Sequence, residues 1–330
     1  MRYSLGDLSL SGGLSLRWPL SEVARSRRER MSMPRESAAQ AKPLSAPLGL
    51  TFLSSAPCGL IEAAPPEFPH PYFSSMVTFP VIGLPIAATD YAGAVAWILE
   101  HASHTQSVYA VEAANTHVAA LARHDPTFGA AMGRFDLICP DGMPLVWAVN
   151  RQLPPGKKLT NRVYGPTLML ETLKATEHRS EFRHFLLGGM TSTLEKLKGT
   201  FAARFPGTTI AGMYSPPFGD WPEDEFERVC EMIRASGANL IWVGLGCPKQ
   251  EHWIARHKDS LPPGVYFGIG AAFAFHAGEV KQSPPVLQQL GLEWAYRLAM
   301  EPRRLCKRYF TYNSLFLYHL LRDRLLAPKE

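Results

Sequence analysis

Residues 239–251, NLIWVGLGCPKQE, decide how the rest of the chain is read. The run Asn239 to Gly246 is almost continuously apolar, the pattern of a strand covered on both faces rather than one. It loosens at Gly244 and Gly246, where the backbone can turn tightly and approach a ligand. Pro248 then suits the first turn of a helix carrying Lys249, Gln250 and Glu251. The N-terminus of such a helix offers free N–H groups and a positive dipole end to a phosphate. A plain strand-to-helix turn uses the same residues, so these positions alone leave both readings open.

Outward from this stretch the alternation repeats. Strand-like runs occur at SVYAVEA (107–113), RFDLICP (134–140), FRHFLLG (182–188), GTTIAGMYS (207–215) and GVYFGIG (264–270). Helical patterns such as TSTLEKLKGTFAARF and PEDEFERVCEMIRASG fill the gaps. Upstream, VTFPVIGLPI reads as one strand, and TDYAGAVAWILEHA as an amphipathic helix capped by Thr89 or Asp90. The expectation is an α/β fold over 76–282: a largely parallel, Rossmann-like sheet flanked by helices. From Ser283 the strand signals stop, and two helical segments form a C-terminal appendage over 283–330. Residues 1–75 are rich in Ser, Pro, Ala and Arg and read as a disordered extension, or as sequence upstream of a true start near Met76.

Hydrophobic residues make up 46% of the chain and charged residues 19%, as in an ordinary globular enzyme. No apolar stretch approaches the ~20 residues of a membrane span, and the opening MRYSLGDLSL lacks the pattern of a signal peptide. Five dispersed cysteines, Cys58, Cys139, Cys230, Cys247 and Cys306, point to free thiols in a reducing compartment. The net charge is +5, and the segment from Arg297 to Arg324 carries an excess of that same size. A basic tail on a neutral body implies a localised acidic partner, phosphates or an anionic membrane surface. The early run Arg25 to Arg30 reads as solvated, and no nucleic acid is expected as a partner.

In an open parallel sheet, ligands bind beyond the carboxyl ends of the strands. There the chain places Asn115-Thr116-His117, Asp141-Gly142, Gly188-Gly189 and the Gly244–Glu251 turn. Asp-Gly is a common turn pair, but an aspartate at a strand end faces the crevice and could serve as a general base. Partial desolvation would raise its pKa, and a nearby arginine would oppose that shift. No Asp-x-Asp pair is present to hold a metal against a diphosphate, and His252 and His257 do not share a helix face. If a nucleotide diphosphate leaves here, arginines must neutralise it. Aromatic residues beside the tail cations, Tyr309, Phe310, Tyr312, Phe316 and Tyr318, suit a membrane interface or packing on the body. Neither GxGxxG nor Tyr-x-x-x-Lys occurs, which argues against a nicotinamide-dependent enzyme.

Several blocks in order, CPDGMPLVWA, NRVYGPTLM, FLLGG, GLGCPKQEHWI, GIGAAFAFHAG and GLEWAYRLAMEPRRLCKRY, resemble the WecG/TagA/CpsF glycosyltransferases from about Val81 to Leu317. The resemblance implies inverting transfer of a sugar from a UDP-sugar donor to an undecaprenyl-diphosphate-linked saccharide acceptor, without metal or cofactor, in cell-surface polysaccharide synthesis. It implies a cytoplasmic enzyme, peripheral on the inner face of the plasma membrane, as a monomer or homo-oligomer. It places the catalytic base on Asp141 and substrate contacts on Asn115, Arg162, Gln250, Arg297, Arg304 and Arg308, with the Gly244–Gly246 loop holding the nucleotide. In the family the tail closes over the site at the membrane. Two positions depart from the pattern: Ala113 stands where a threonine is expected and Ala274 where an aspartate is expected. Loss of that carboxylate leaves open a second reading, a catalytically weakened, membrane-docked assembly factor of the same fold.

Overall fold

The computed structural model describes residues 76–103, 106–219, 221–284, 286–287 and 292–326, apart from the Arg304 side chain. The extension expected over residues 1–75 lies outside them.

The run read as one N-terminal strand is a hairpin. β1 (Thr78–Val81) and β2 (Leu84–Ala87) pair antiparallel across Ile82 and Gly83, whose φ values are 44° and 95°. Positive φ at both central residues gives a two-residue turn the twist that matches its strands. Ile82 accepts this conformation with its side chain buried in the core. Helix α1 (Tyr91–Ser103) follows, and its cap is Asp90 rather than Thr89: Asp90 Oδ1 accepts the Gly93 N–H at 2.9 Å.

The main sheet has six strands: β3 (Val108–Ala114), β4 (Leu137–Pro140), β5 (Arg183–Gly188), β6 (Thr209–Tyr214), β7 (Leu240–Gly244) and β8 (Gly264–Phe267). Their order is β4-β3-β8-β7-β5-β6, and every neighbouring pair is parallel. The apolar runs are continuous because both faces are covered. Phe185, Leu187, Ile241, Val243 and Tyr266 enter one core, and Leu186, Leu240, Trp242, Val265 and Phe267 enter the other. Trp242 stacks on Phe267 with ring centroids 3.8 Å apart. His184, buried in this core, accepts from Trp242 Nε1 at 3.0 Å and pairs with the Thr176 hydroxyl at 2.9 Å. Burial pushes its pKa down to about 3, so it stays neutral.

The covering helices are α2 (Thr116–His124), α3 (Pro126–Met132), α4 (Met143–Asn150), α5 (Gly165–Ala175), α6 (Thr191–Arg204), α7 (Glu225–Ser236), α8 (Lys249–His257) and α9 (Ala271–His276). The connection after β5 runs outward to β6, whereas that after β7 runs inward to β8. The carboxyl ends of β5 and β7 therefore flank a topological switch point, where open α/β sheets hold ligands. The strands touch closely there. Gly189 N–H donates to the Gly244 carbonyl at 3.1 Å, and a Cβ on Gly188 would sit 2.6 Å from that oxygen.

Two helices complete the chain, α10 (Glu293–Met300) and α11 (Pro302–Leu326). α11 lies along α2: the Thr116 hydroxyl donates to Asn313 Oδ1 at 2.7 Å, and the His117 and Tyr312 rings meet edge-on at 4.5 Å. Leu305 and Phe316 are buried beneath α11. Among the described residues, no helix is long and apolar enough to cross a membrane.

Candidate active site

The carboxyl ends of β3 and β4, the start of α4 and the two C-terminal helices enclose a cavity of about 430 Å³. Asn115, Asp141, Arg162, Arg297 and Arg308 all line it, with Tyr164, Trp147, Glu293 and Trp294. Five of the residues singled out in the sequence are thus brought to one place, from positions spread across nearly 200 residues of chain.

Asp141 is fixed by its backbone: its N–H donates to the Ala114 carbonyl at 2.8 Å, extending the β3–β4 ladder by one bond. The side chain then points away from the sheet end into the cavity. Its Oδ1 is completely covered and has no hydrogen-bond partner. Burial raises the Asp141 pKa to about 8; Arg162, the Gly165 amide and Arg297 pull it down, and Glu293 pushes it up. A carboxylic acid so placed takes up and releases a proton near neutral pH, as a general base requires.

Arg162 stands beside it, largely buried. One guanidinium nitrogen donates to the Asp141 main-chain carbonyl at 3.3 Å and the other to Glu293 Oε2 at 2.5 Å. The guanidinium lies 4.4 Å from the Tyr164 ring centre. Arg297 packs over the Phe275 ring at 5.4 Å, and the Nε groups of Arg297 and Arg308 are buried without a partner. Buried donors left unmatched are costly, and here they surround a cavity, where an anion would satisfy them. Asn115 has another duty. Its Oδ1 caps α2 by accepting the N–H groups of His117 and Val118 at 3.0 and 3.2 Å. Burial and the Arg308 charge lower the His117 pKa to about 4, so it is neutral in the cavity wall.

Gly244, Gly246 and Gln250 lie outside the cavity lining, at the neighbouring switch-point crevice. Gly246 has φ of 81° and open space around it, so it supplies the left-handed turn. Gly244 makes room for the protein itself: a Cβ there would fall 2.6 Å from the Phe273 ring of α9. The Gln250 side chain is buried and bonded at every arm. Its Oε1 accepts the Gly246 and Gly270 N–H groups, both at 3.1 Å, while Nε2 donates to the Gly268 carbonyl at 2.6 Å and Glu251 Oε1 at 3.0 Å. Its amide knits three loops together instead of facing solvent. Below it, Glu112 and Glu251 are both buried; burial and mutual repulsion push Glu112 well up, and burial first of all takes Glu251 up to about 7. The Arg304 side chain lies outside the described residues.

Ala113 and Ala274 can be placed as well. The Ala113 methyl is buried beside Gly165, 3.3 Å from where a Cβ on that glycine would be. Ala274 is half-buried on α9, between Phe273 and Phe275. Tyr164 and Glu293 are among the cavity residues that carried no role in the sequence reading. Each was visible only as a neighbour of an arginine: Tyr164 two residues after Arg162, and Glu293 one helical turn before Arg297.

A model of the glycosyl transferase WecG/TagA/CpsF family matches residues 79–330 of the chain. The chain is also 30% identical over 213 residues to the N-acetylglucosaminyldiphosphoundecaprenol N-acetyl-beta-D-mannosaminyltransferase of Bacillus spizizenii; the match spans 61% of this chain and 78% of that protein. The family match reaches through both C-terminal helices, which bring Glu293, Arg297 and Arg308 to Asp141. With that, the sheet, the cavity and the comparisons agree: the chain is a glycosyltransferase of the WecG/TagA/CpsF family.

Proposed function

We propose that this enzyme transfers a sugar from a UDP-sugar to a saccharide carried on undecaprenyl diphosphate, with inversion and without a metal, in cell-envelope polysaccharide synthesis. The observation that carries the reading is the buried Asp141 carboxyl, its Oδ1 left without a partner, in a cavity ringed by guanidinium groups. In the proposed step Asp141 accepts the proton of the acceptor hydroxyl. The freed oxygen attacks the anomeric carbon, and the bond to UDP breaks, its electron pair leaving with the diphosphate. Arg162, Arg297 and Arg308 take up the charge that develops there, an electrostatic contribution of about 3 kcal/mol for a well-placed donor. The Gly244–Gly246 turn, with the Gly188-Gly189 turn beside it, suits the nucleotide. The name of the Bacillus relative supports a lipid-diphosphate-linked acceptor and an N-acetylmannosamine donor.

A membrane surface fits the outer face of the appendage. Met300, Phe310, Tyr318, Leu321 and Leu325 are exposed there, beside exposed Arg303, Lys307 and Arg324. The inner leaflet of the plasma membrane is the proposed site of action, since anionic headgroups would meet this charge.

The test is UDP release and product formation by the full-length protein with a panel of UDP-sugars, a lipid-diphosphate-linked sugar and a metal chelator. Turnover that needs the lipid-linked acceptor, survives chelation and disappears in Asp141→Asn is expected. Acceptor-independent behaviour, or an active Asn variant, overturns the reading. A correctly folded protein that docks on membranes but releases no UDP would return the assembly-factor alternative.

A further inference from the structure

Glu293 opens α10, and only 5% of it is exposed. Its two carboxylate oxygens are divided between two residues that precede α5. Oε2 accepts from Arg162 Nη2 and Oε1 from the Tyr164 hydroxyl, each at 2.5 Å, across 131 and 129 residues of sequence. A buried ion pair is weak evidence for stability, because removing both charges from water offsets most of their attraction. An apolar residue would dock α10 as well. What an apolar residue would not do is occupy Arg162.

Arg162 has two carboxylates within its reach. It meets Asp141 only through the main-chain carbonyl, at 3.3 Å, while its other arm is taken by Glu293. The Asp141 Oδ1 is left without a partner. A guanidinium released from Glu293 would find that carboxylate beside it and pair with it bidentately, the strongest geometry open to both groups. A base held in such a pair no longer accepts a proton from a substrate.

We propose that Glu293 is a positioning residue of the site: brought in by the C-terminal helices, it holds Arg162 and Tyr164 and so keeps the Asp141 carboxylate open to the acceptor. The proposal rests on Asp141 being the base. The appendage then does more than cover the cavity, since its docking frees the base of its arginine. The other groups that face Asp141 are Tyr91 of α1, Tyr164, Arg297 of α10, Cys139 of β4 and Glu112 of β3. Of these, Arg297 alone arrives with the appendage, and Glu293 is the carboxylate paired with Arg162.

The experiment uses the full chain with Glu293→Gln, which keeps the shape and removes the charge, and Glu293→Asp, which keeps the charge. Two readouts are taken: the pH profile of kcat/KM, and the pH titration of the Asp141 side-chain carboxyl resonance in isotope-labelled protein, assigned by its loss in Asp141→Asn. In Glu293→Gln the Asp141 midpoint and the acid limb both move to lower pH by about one unit, a tenfold gain in acidity. kcat on the plateau falls about tenfold or more. Glu293→Asp keeps the wild-type midpoint and recovers part of the rate. A midpoint and acid limb unmoved by Glu293→Gln overturn the proposal, as does a Glu293→Asp variant that behaves like Glu293→Gln. If the wild-type protein transfers no sugar to any lipid-diphosphate acceptor, the transferase reading falls by itself. The Asp141 titration still decides the role of Glu293.

Discussion

Replacing Asp141 with asparagine should abolish turnover and, unusually for an active-site substitution, stabilise the protein at high pH. The amide fills the same space but carries no charge to desolvate. The sign follows from proton binding. Native Asp141 holds its proton up to about pH 8, whereas the unfolded chain releases it near pH 4. Between those values the native state binds more protons, so its stability falls as pH rises through the window and is level above it. At about 1.36 kcal/mol per tenfold in proton affinity, the ceiling on that loss is about 5 kcal/mol. The high effective dielectric of real protein interiors reduces it to about 2 kcal/mol. In a domain of this size that corresponds to about 4–8 °C in Tm. Thermal unfolding of both proteins, followed by circular dichroism from about pH 5 to about pH 9, reads the effect. The Asn variant should gain on the wild type up to about pH 8 and hold that lead above it, with turnover lost by about three orders of magnitude. A variant equally stable at both ends of the range would mean that Asp141 is not desolvated. Near-normal turnover would remove it from the reaction.

Gln250→Ala strips four hydrogen bonds from a buried junction and leaves the Gly246 and Gly270 amides without their acceptor. The expected loss is about 2–4 kcal/mol in urea unfolding, and a variant within error of the wild type would show that water replaces the amide. Gly244→Ala drives a methyl into Phe273. It should cost about 1–3 kcal/mol and weaken UDP binding by calorimetry, because α9 and the turn must separate. Phe310→Ser with Leu325→Ser removes exposed apolar surface from the outer face of α11 without touching the cavity. Binding to anionic vesicles in flotation assays should weaken about tenfold or more, with Tm unchanged. Undiminished binding would move the docking surface elsewhere.

The parallel sheet was legible because its strands are apolar on both faces, a pattern that few other structures produce. Asp141 was legible because a strand end followed by a turn leaves little freedom in where a side chain points. The hairpin was not: Ile82-Gly83 lies inside an apolar run, and nothing local marks Ile82 for a left-handed backbone. Gln250 shows a second limit. A polar residue at a glycine-rich turn has the same sequence signature whether its amide meets a ligand or, as here, the neighbouring loops. Glu293 shows a third. A charged residue in a helix's first turn normally faces water, and only the docking of α10 against residues 162–164 buries it. Its burial is a tertiary fact with no local trace.

The cavity and the switch-point crevice are joined by α9, a helix of six residues. Gly270, which precedes it, donates its N–H to Gln250 in the crevice; Phe273 fills the space over Gly244; Phe275 lies under Arg297 and 6.4 Å from the Tyr164 ring. One short wedge therefore contacts the Gly244–Gly246 turn on one side and the roof of the cavity on the other. Ala274 stands between those two phenylalanines, so the carboxylate missing there is missing from the junction of the two sites rather than from either one. Asp141 and its arginines keep their arrangement regardless, because they are fixed by the β3–β4 ladder, by the backbone before α5 and by α10. The departure at Ala274 is for this reason better placed to alter the junction between the cavity and the crevice than to disturb Asp141.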